Sequence, residues 1–228
     1  PTLGTVSRNE NGYPIGYFFG YKAIGVFQTQ EEIDSYISPA TGKPIQPNAA
    51  PGDTKFEDLN GDGVISDDNE DRTMIGKPNP DWMVGLTVAA DWNGFDLSAF
   101  FQGSFGADVF DALRRYELAA VNYTSDALER WTGPGTSNSM PRIVLGDTPK
   151  NFRPSTLLVH DASFLRLRNL QVGYTLPAQL TRKAYIQRLR FYASFDNLLT
   201  ITGYKGMDPE IGSTMGIDKG VYPQARVY

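Results

Sequence analysis

The chain has no cysteine and only one histidine, His160. Without thiols there is no disulfide framework, no thiolate zinc site and no cysteine nucleophile. A single imidazole rules out most metal centres built from several histidines. Long apolar runs are missing too: none approaches the roughly 20 residues of a membrane-spanning helix. Positive charge is in the minority, 21 Lys and Arg against 26 Asp and Glu, for a net charge of -5. That balance argues against nucleic acid as a partner. Pro1 begins no signal peptide. The overall hydropathy is mildly polar, which excludes a helical membrane protein but leaves room for a β-barrel, whose lumen face and loops are polar. At 228 residues the chain is long enough for one or two soluble domains, or for a few strands and loops of something larger.

The most informative stretch is Trp82–Gln102, two strands joined by Asn93-Gly94. Asn-Gly between alternating apolar runs signals a hairpin, because a type I′ turn needs φ > 0 at both central positions. Trp82, Val84, Leu86, Val88, Ala90 and Trp92 share one face of the first strand. On the second strand Phe95, Leu97, Ala99 and Phe101 alternate with Asp96, Ser98, Phe100 and Gln102. A half-buried soluble strand alternates in the same way, so the tryptophans carry the distinction. They sit at the two ends of an apolar row that covers about 23 Å along a barrel axis at ordinary rise and tilt. The apolar band of an outer-membrane barrel is about 25 Å tall and rimmed by aromatic girdles.

Further along, 162–176 reads as a strand with a phase slip. Leu170, Val172, Tyr174 and Leu176 keep one phase and Leu165 and Leu167 the other, so a β-bulge is expected near Arg168–Asn169. In 188–198, Leu189, Phe191, Ala193 and Phe195 alternate with Arg190, Tyr192, Ser194 and Asp196, an apolar-out, polar-in pattern. Tyr13–Gln28, aromatic and glycine-studded, reads as one strand with kinks, and Val221–Tyr228 as the start of another. Glu31–Tyr36 suggests a helical turn, Asp108–Ala120 a helix with Val109, Leu113, Tyr116 and Ala120 on one stripe, and Ser125–Trp131 a short helix capped by Thr124 or Ser125. Short connections, Asn93-Gly94 and Pro177–Gln187, alternate with the long ones, Gly103–Asp161 and Thr200–Gly220. Outer-membrane barrels show that asymmetry. Five or six strands cannot close a barrel, so the chain is a piece of a larger polypeptide or is not in a membrane.

Asp58–Asp71, DLNGDGVISDDNED, follows the start of a calcium loop. Asp58, Asn60 and Asp62 stand at positions 1, 3 and 5, Gly63 makes the turn at 6, Val64 at 7 offers its carbonyl, and apolar Ile65 stands at 8. Asn69 replaces the usual bidentate Glu; Asp67, Asp68, Glu70 and Asp71 are near enough to substitute, with Asp67 and Asp68 the expected ligands. Without a Ca2+ ion the same residues make an acidic turn. Arg114, Arg115, Arg130 and Arg142 have the charge to bind an anionic ligand, but are expected rather to anchor loops through salt bridges. His160, Asp161 and Ser163 have the residue types of a hydrolytic triad, but lie too near one another on an extended strand to line up. No acid, base or nucleophile arrangement supports an enzyme.

A family resemblance rests on FFGYKAIGVFQTQEEID, GDTKFEDLNGDGVISDDNEDRTMIGKPNPDW, NGFDLSAFFQGSFGADVF, RWTGPGTSNSMPR, ASFLRLRNLQVGYTLP, LRFYASFDNLLTITGYKGMDPE and GVYPQARVY. In this order they resemble the carboxy-terminal part of SusC/RagA-type TonB-dependent importers, from about Tyr13 to the end. The resemblance implies an all-β fold: the last strands of an antiparallel transmembrane barrel of about 22 strands, with long extracellular loops. The whole of 1–228 is then one part of that barrel, with strands about 13–28, 82–92, 95–103, 162–176, 188–198 and 221–228 and outer loops about 29–81, 104–161 and 199–220. It also implies a multi-pass place in a Gram-negative outer membrane and contact with its lipid. Implied partners are a SusD-like surface lipoprotein, TonB acting through segments absent here, and an oligosaccharide or peptide cargo, with glycan the commoner cargo in the family. Asp96, Ser98, Gln102, Arg190, Tyr192, Ser194 and Asp196 are the expected lumen residues. The alternative is a soluble, secreted β-sandwich that binds calcium and a glycan. It needs Val84, Leu86, Val88, Leu97, Phe101, Leu189, Phe191 and Phe195 covered by a second sheet, since soluble domains rarely leave so large an apolar patch exposed.

Overall fold

The computed structural model describes residues 6–113, 116, 118, 122–211, 215–220 and 222–227. In chain order its strands are β1 (Ser7–Arg8), β2 (Tyr17–Tyr21), β3 (Ala23–Val26), β4 (Thr54–Phe56), β5 (Arg72–Gly76), β6 (Trp82–Trp92) and β7 (Phe95–Phe105), followed by β8 (Asp108–Asp111), β9 (Val159–Asp161), β10 (Phe164–Thr175), β11 (Arg190–Thr202) and β12 (Ile217–Asp218). They fall into two compact units. The first comprises Pro1–Pro78, Asp108–His160 and Ser213–Lys219, the second Asn79–Ala107, Asp161–Gly212 and Gly220–Tyr228.

The first unit is built from small sheets, β1-β2-β5, β3-β4 and β12-β8-β9. Its core gathers Val6, Phe18, Phe110, Tyr116, Met140, Phe152, Leu158 and Ile217. The single strand expected over 13–28 is two strands in different sheets. The Tyr21 amide leaves the ladder to donate to the Pro154 carbonyl at 2.9 Å, and only glycine fits at position 20, where a Cβ would lie 2.4 Å from the Pro154 oxygen. Beyond that break β3 pairs with β4, with a register slip at Gly25. Aromatics occupy both phases here because both faces are covered: Tyr17, Phe18, Tyr21 and Phe27 are all buried.

Local signals hold at Gln30–Ser35, a helix (α1) whose N-cap Thr29 accepts the Glu32 amide through its side chain. They fail at Asp108–Ala120. Asp108–Asp111 is a strand paired in parallel with β12, and the neighbours Val109 and Phe110 are both buried, which a one-stripe helix does not allow. Pairing outweighed a weak helical pattern; Arg114, Arg115 and Ala120 lie outside the described residues. Ser125–Glu129 is a 3-10 turn rather than a helix reaching Trp131. Thr124 precedes it without capping it, because its hydroxyl meets that of Tyr116 at 2.8 Å. The expected outer loop 29–81 thus contains α1, β4 and β5, and the loop 104–161 contains β8 and β9.

The second unit is one antiparallel sheet in the order β11-β10-β7-β6. The hairpin forms at Asn93-Gly94, where φ is 48° and 86° as a type I′ turn requires. Its register is unbroken from Trp92↔Phe95 to Trp82↔Phe105. β10 pairs with β7 on one side and β11 on the other, and both pairings slip between Leu167 and Asn169. On the β11 side the extra residue is accommodated around Asn197, which adopts φ 52°. Pro177–Arg188 contains two short helical turns, Ala178–Thr181 and Arg182–Ala184. By register, this turn and Asn93-Gly94 lie at the same end of the sheet, and Trp82, Phe105, Phe164 and Thr202 mark the other.

β11 runs on to Thr202, four residues past the expected end at 198. The strand expected over 221–228 is reduced to an isolated bridge, Asp196↔Val227. Pro223 has no amide to donate, and the Gln224 amide is turned to the Asp208 carboxylate at 2.9 Å. Val221 and Tyr228 lie outside the described residues.

Candidate functional site

The pleat of the four-stranded sheet separates two chemically opposite faces. On one, Trp82, Val84, Leu86, Val88 and Trp92 align by register with Phe95, Leu97, Ala99 and Phe101, then Tyr174, Val172 and Leu170, then Phe191, Ala193 and Phe195. Past the bulge the apolar phase continues as Leu165 and Leu167 beside Leu199 and Ile201. A one-residue insertion moves every later side chain to the other face. Here it keeps the leucines with the apolar face. Among the described residues no second sheet covers this row: Trp82, Leu86, Trp92, Phe191 and Ile201 are all more than half exposed. Leu189 lies just before β11.

The opposite face carries all seven expected lumen residues. Asp96 stands across from Gly173 and Tyr192, Ser98 from Gln171 and Ser194, Gln102 from Arg166 and Thr200, and Asp196 from Asn169. Arg190 grips Asp96 as a fork, with Nε donating at 3.0 Å to one oxygen and Nη2 to the other, and Nη2 also reaches Gln171 at 3.0 Å. Gly173 leaves room for this pair, since a Cβ there would lie 2.4 Å from an Asp96 oxygen. The Arg190 guanidinium lies over the Tyr192 ring at 5.0 Å. Asn169 donates to Asp196 at 2.7 Å and to Ser194 at 3.3 Å.

The far end of this face holds a cluster absent from the sequence expectations. Arg166, with its side chain 2% exposed, donates to Asp208 at 2.6 Å, to Glu210 at 3.0 Å and to Thr200 at 3.0 Å. Arg168, set on the bulge, donates to Gln102 at 2.7 Å and to both Glu210 oxygens at 2.6 Å. Asp208 is buried, which pushes its carboxyl up. The Gln224 and Glu210 amides and the Arg166 guanidinium outweigh that and hold it below the usual range. The only sequence cue was the alternation in Leu165-Arg166-Leu167-Arg168, which sets two cations against an apolar phase.

In the acidic loop, Asp58 accepts the Gly61 and Gly63 amides at 2.8 and 2.9 Å, Asn60 the Asp62 amide at 3.0 Å, and Asp62 the Val64 amide at 2.8 Å. Asp67 turns away to Lys150, whose contact, with Arg153 and Arg72 nearby, holds its carboxyl below the usual range. Asp68 accepts the Ser66 hydroxyl and the Glu70 amide. The buried Asp71 closes the loop, accepting the Leu59 amide at 3.2 Å and the Ser66 amide at 2.9 Å. Among the described residues, no three Asp, Glu or His side chains converge as a metal group. Arg142 anchors its loop on Asp53 at 2.6 Å, and Arg130 donates to the Ala127 carbonyl at 3.0 Å. His160 lies 3.9 Å from Asp111, while the Ser163 hydroxyl accepts the Gly106 amide, so no triad forms.

No protein-family model matches the chain. It is 33% identical to TonB-dependent receptor P3 of Formosa agariphila, over 95% of this chain and 22% of that protein. It is 29% identical to TonB-dependent receptor SusC of Bacteroides thetaiotaomicron, over 98% of this chain and 20% of SusC. Among solved structures it superposes on the RagAB peptide transporter with a TM-score of 0.73 and 27% identity, over 98% of this chain and 23% of that one. In sequence and in fold the chain is similar to TonB-dependent receptors of the SusC/RagA type. It spans about a fifth of the length of the curated relatives it matches. The fold is all-β, in keeping with a portion of a transporter barrel. No helix among the described residues is long and apolar enough to cross a membrane.

Proposed function

We propose that the chain supplies four adjacent strands and outer loops to an outer-membrane importer of oligosaccharides or peptides. The observation that carries this reading is the two-faced sheet, with an exposed apolar row ended by Trp82 and Trp92 on one side and an ion-paired polar ladder on the other. β6, β7, β10 and β11 then span a Gram-negative outer membrane with the apolar row against lipid and the seven ladder residues toward the lumen. The loops 29–81, 104–161 and 199–220 then face the outside of the cell. The edges of β6 and β11 continue into further strands, because a spanning sheet must pair every backbone group. A SusD-like surface lipoprotein caps the importer, and TonB drives it through other parts of the polypeptide. The Asp58–Asp71 loop takes calcium through Asp58, Asn60 and Asp62, an oxygen set suited to that ion.

The experiment uses the full-length receptor in vesicles of brominated phospholipid. Trp82 and Trp92 fluorescence should be quenched most strongly by bromines near the headgroups, and the folded band should migrate differently from the boiled one on a denaturing gel. Unquenched tryptophans with no change on boiling would favour the soluble sandwich instead. The exposed row already speaks against that alternative.

A further inference from the structure

The first unit contains a cleft of about 670 Å³ lined by the Thr41–Ala49 segment, by Gly63, Val64 and Ile65 of the acidic loop, and by the Thr148–Arg153 turn. Ile45, Pro47 and Pro149 give it an apolar floor, and Lys43, Lys150 and Arg153 supply cations. Its one lining carboxylate, Asp53, is fully engaged by Arg142 at 2.6 and 3.1 Å and by Asn151 at 3.0 Å. Among its lining side chains, three cations thus face no carboxylate that is left free.

Beside it, two cations approach the exposed Asp67 carboxylate and a third approaches its carbonyl. Lys150 ion-pairs with Asp67, and Arg72 donates to the Asp67 carbonyl at 3.2 Å. The Arg153 Nη1 stops 3.9 Å from the Asp67 carboxylate, beyond hydrogen-bond range. That nitrogen is covered and has no hydrogen-bond partner among the described residues. The rest of the guanidinium is held in place over the rings of Tyr21 at 4.6 Å and Phe56 at 4.9 Å, with Nε donating to the Lys150 carbonyl at 3.2 Å. Asp67, by contrast, is 69% exposed on its loop. The turn carrying the cations is strained, since Asp147 and Lys150 are not glycine yet adopt φ 43° and 59°. Strain of this kind gathers at binding sites.

We propose that this cleft binds an anionic ligand, whose carboxylate takes the place of Asp67 against Lys150 and Arg153 while its apolar body lies on the Ile45–Pro47–Pro149 floor. A carboxylate not tethered to the loop can close on the Arg153 fork, where Asp67 halts short of a hydrogen bond. The inference deepens the importer reading and rests on it for the nature of the cargo. The carboxylate belongs either to an acidic peptide or to a uronate-bearing oligosaccharide.

The test is calorimetric binding to the full-length receptor in detergent, which does not depend on import. The probes are Ala-Pro-Glu against its doubly amidated form, and digalacturonate against its methyl ester. One acid should bind, identifying the source, and its blocked form at least about tenfold more weakly. Lys150→Gln and Arg153→Gln should each weaken the acid about tenfold. Asp67→Asn should tighten it severalfold by removing the resident competitor, an effect that a purely structural role for Asp67 would not produce. Should Arg153→Gln fail to fold, Lys150→Gln and Asp67→Asn carry the decision. Absence of binding by both acids, equal binding of the blocked forms, or weaker binding to Asp67→Asn overturns the proposal. Separate uptake assays judge the importer reading, so binding without uptake leaves the cleft standing and uptake without binding removes it.

Discussion

Arg166→Met is the sharpest perturbation of the polar face. The Arg166 and Asp208 side chains are 2% and 3% exposed, and their ion pair measures 2.6 Å. Removing one partner of such a pair strands the other charge and generally costs about 3–5 kcal/mol. Asp208 keeps the Gln224 and Glu210 amides at 2.9 Å, and Glu210 keeps Arg168, so the lower end, about 3 kcal/mol, is expected. The assay is urea unfolding of the full-length receptor refolded into phospholipid vesicles, read by the heat-modifiable gel band. A double variant, Arg166→Met with Asp208→Asn, should cost less than the two single changes together, by about 1–3 kcal/mol. Acid provides a second check. Because the folded Asp208 carboxyl is held below its unfolded value of about 3.9, its stabilisation is complete above that pH and lost as the pH falls through the folded value. In Arg166→Met the stranded carboxyl protonates more readily, so the gap to the parent should narrow on acidification. A loss within about 0.5 kcal/mol, or strict additivity of the two changes, would refute the reasoning.

Three further outcomes are expected. Gly173→Ala should destabilise by about 1–3 kcal/mol, since its Cβ meets the Asp96–Arg190 pair at 2.4 Å, whereas Gly203→Ala, with nothing within 4 Å, should be silent in the same assay. Val88→Lys, at the middle of the apolar row, should cost about 2–4 kcal/mol and Trp92→Lys at the rim about 0–1 from the inserted charge, giving a depth dependence that a soluble sandwich would not show. Calcium at millimolar levels should raise the thermal midpoint of the parent receptor but not of Asp58→Asn/Asp62→Asn. An identical midpoint with calcium and with chelator would remove the ion from the acidic loop.

The parts of the fold legible in the sequence are those set by neighbours in the chain. Asn93-Gly94 dictates a type I′ turn because few other pairs tolerate two positive φ values. The period of two then assigns Val84, Leu86 and Val88 to one face and Asp96, Ser98 and Gln102 to the other. Even the bulge can be read, because Leu165 and Leu167 are out of phase with Leu170 and Val172, and only an inserted residue reconciles them. Asp108–Asp111 misleads for the same local reason, its apolar spacing fitting a helix until pairing with Ile217–Asp218 is known.

By itself, then, the sequence determined the hairpin and the two-faced strands, because turn geometry and side-chain alternation are properties of a few consecutive residues. Only the tertiary structure decided that Tyr13–Gln28 breaks into two strands, since that depends on the Pro154 carbonyl from a distant turn. It alone joined Arg166 to Asp208 across 42 residues, and brought Lys150 and Arg153 to Asp67. Such partners meet through chain folding rather than local spacing, and burial, which makes their ion pairs energetically decisive, is absent until the chain has closed around them.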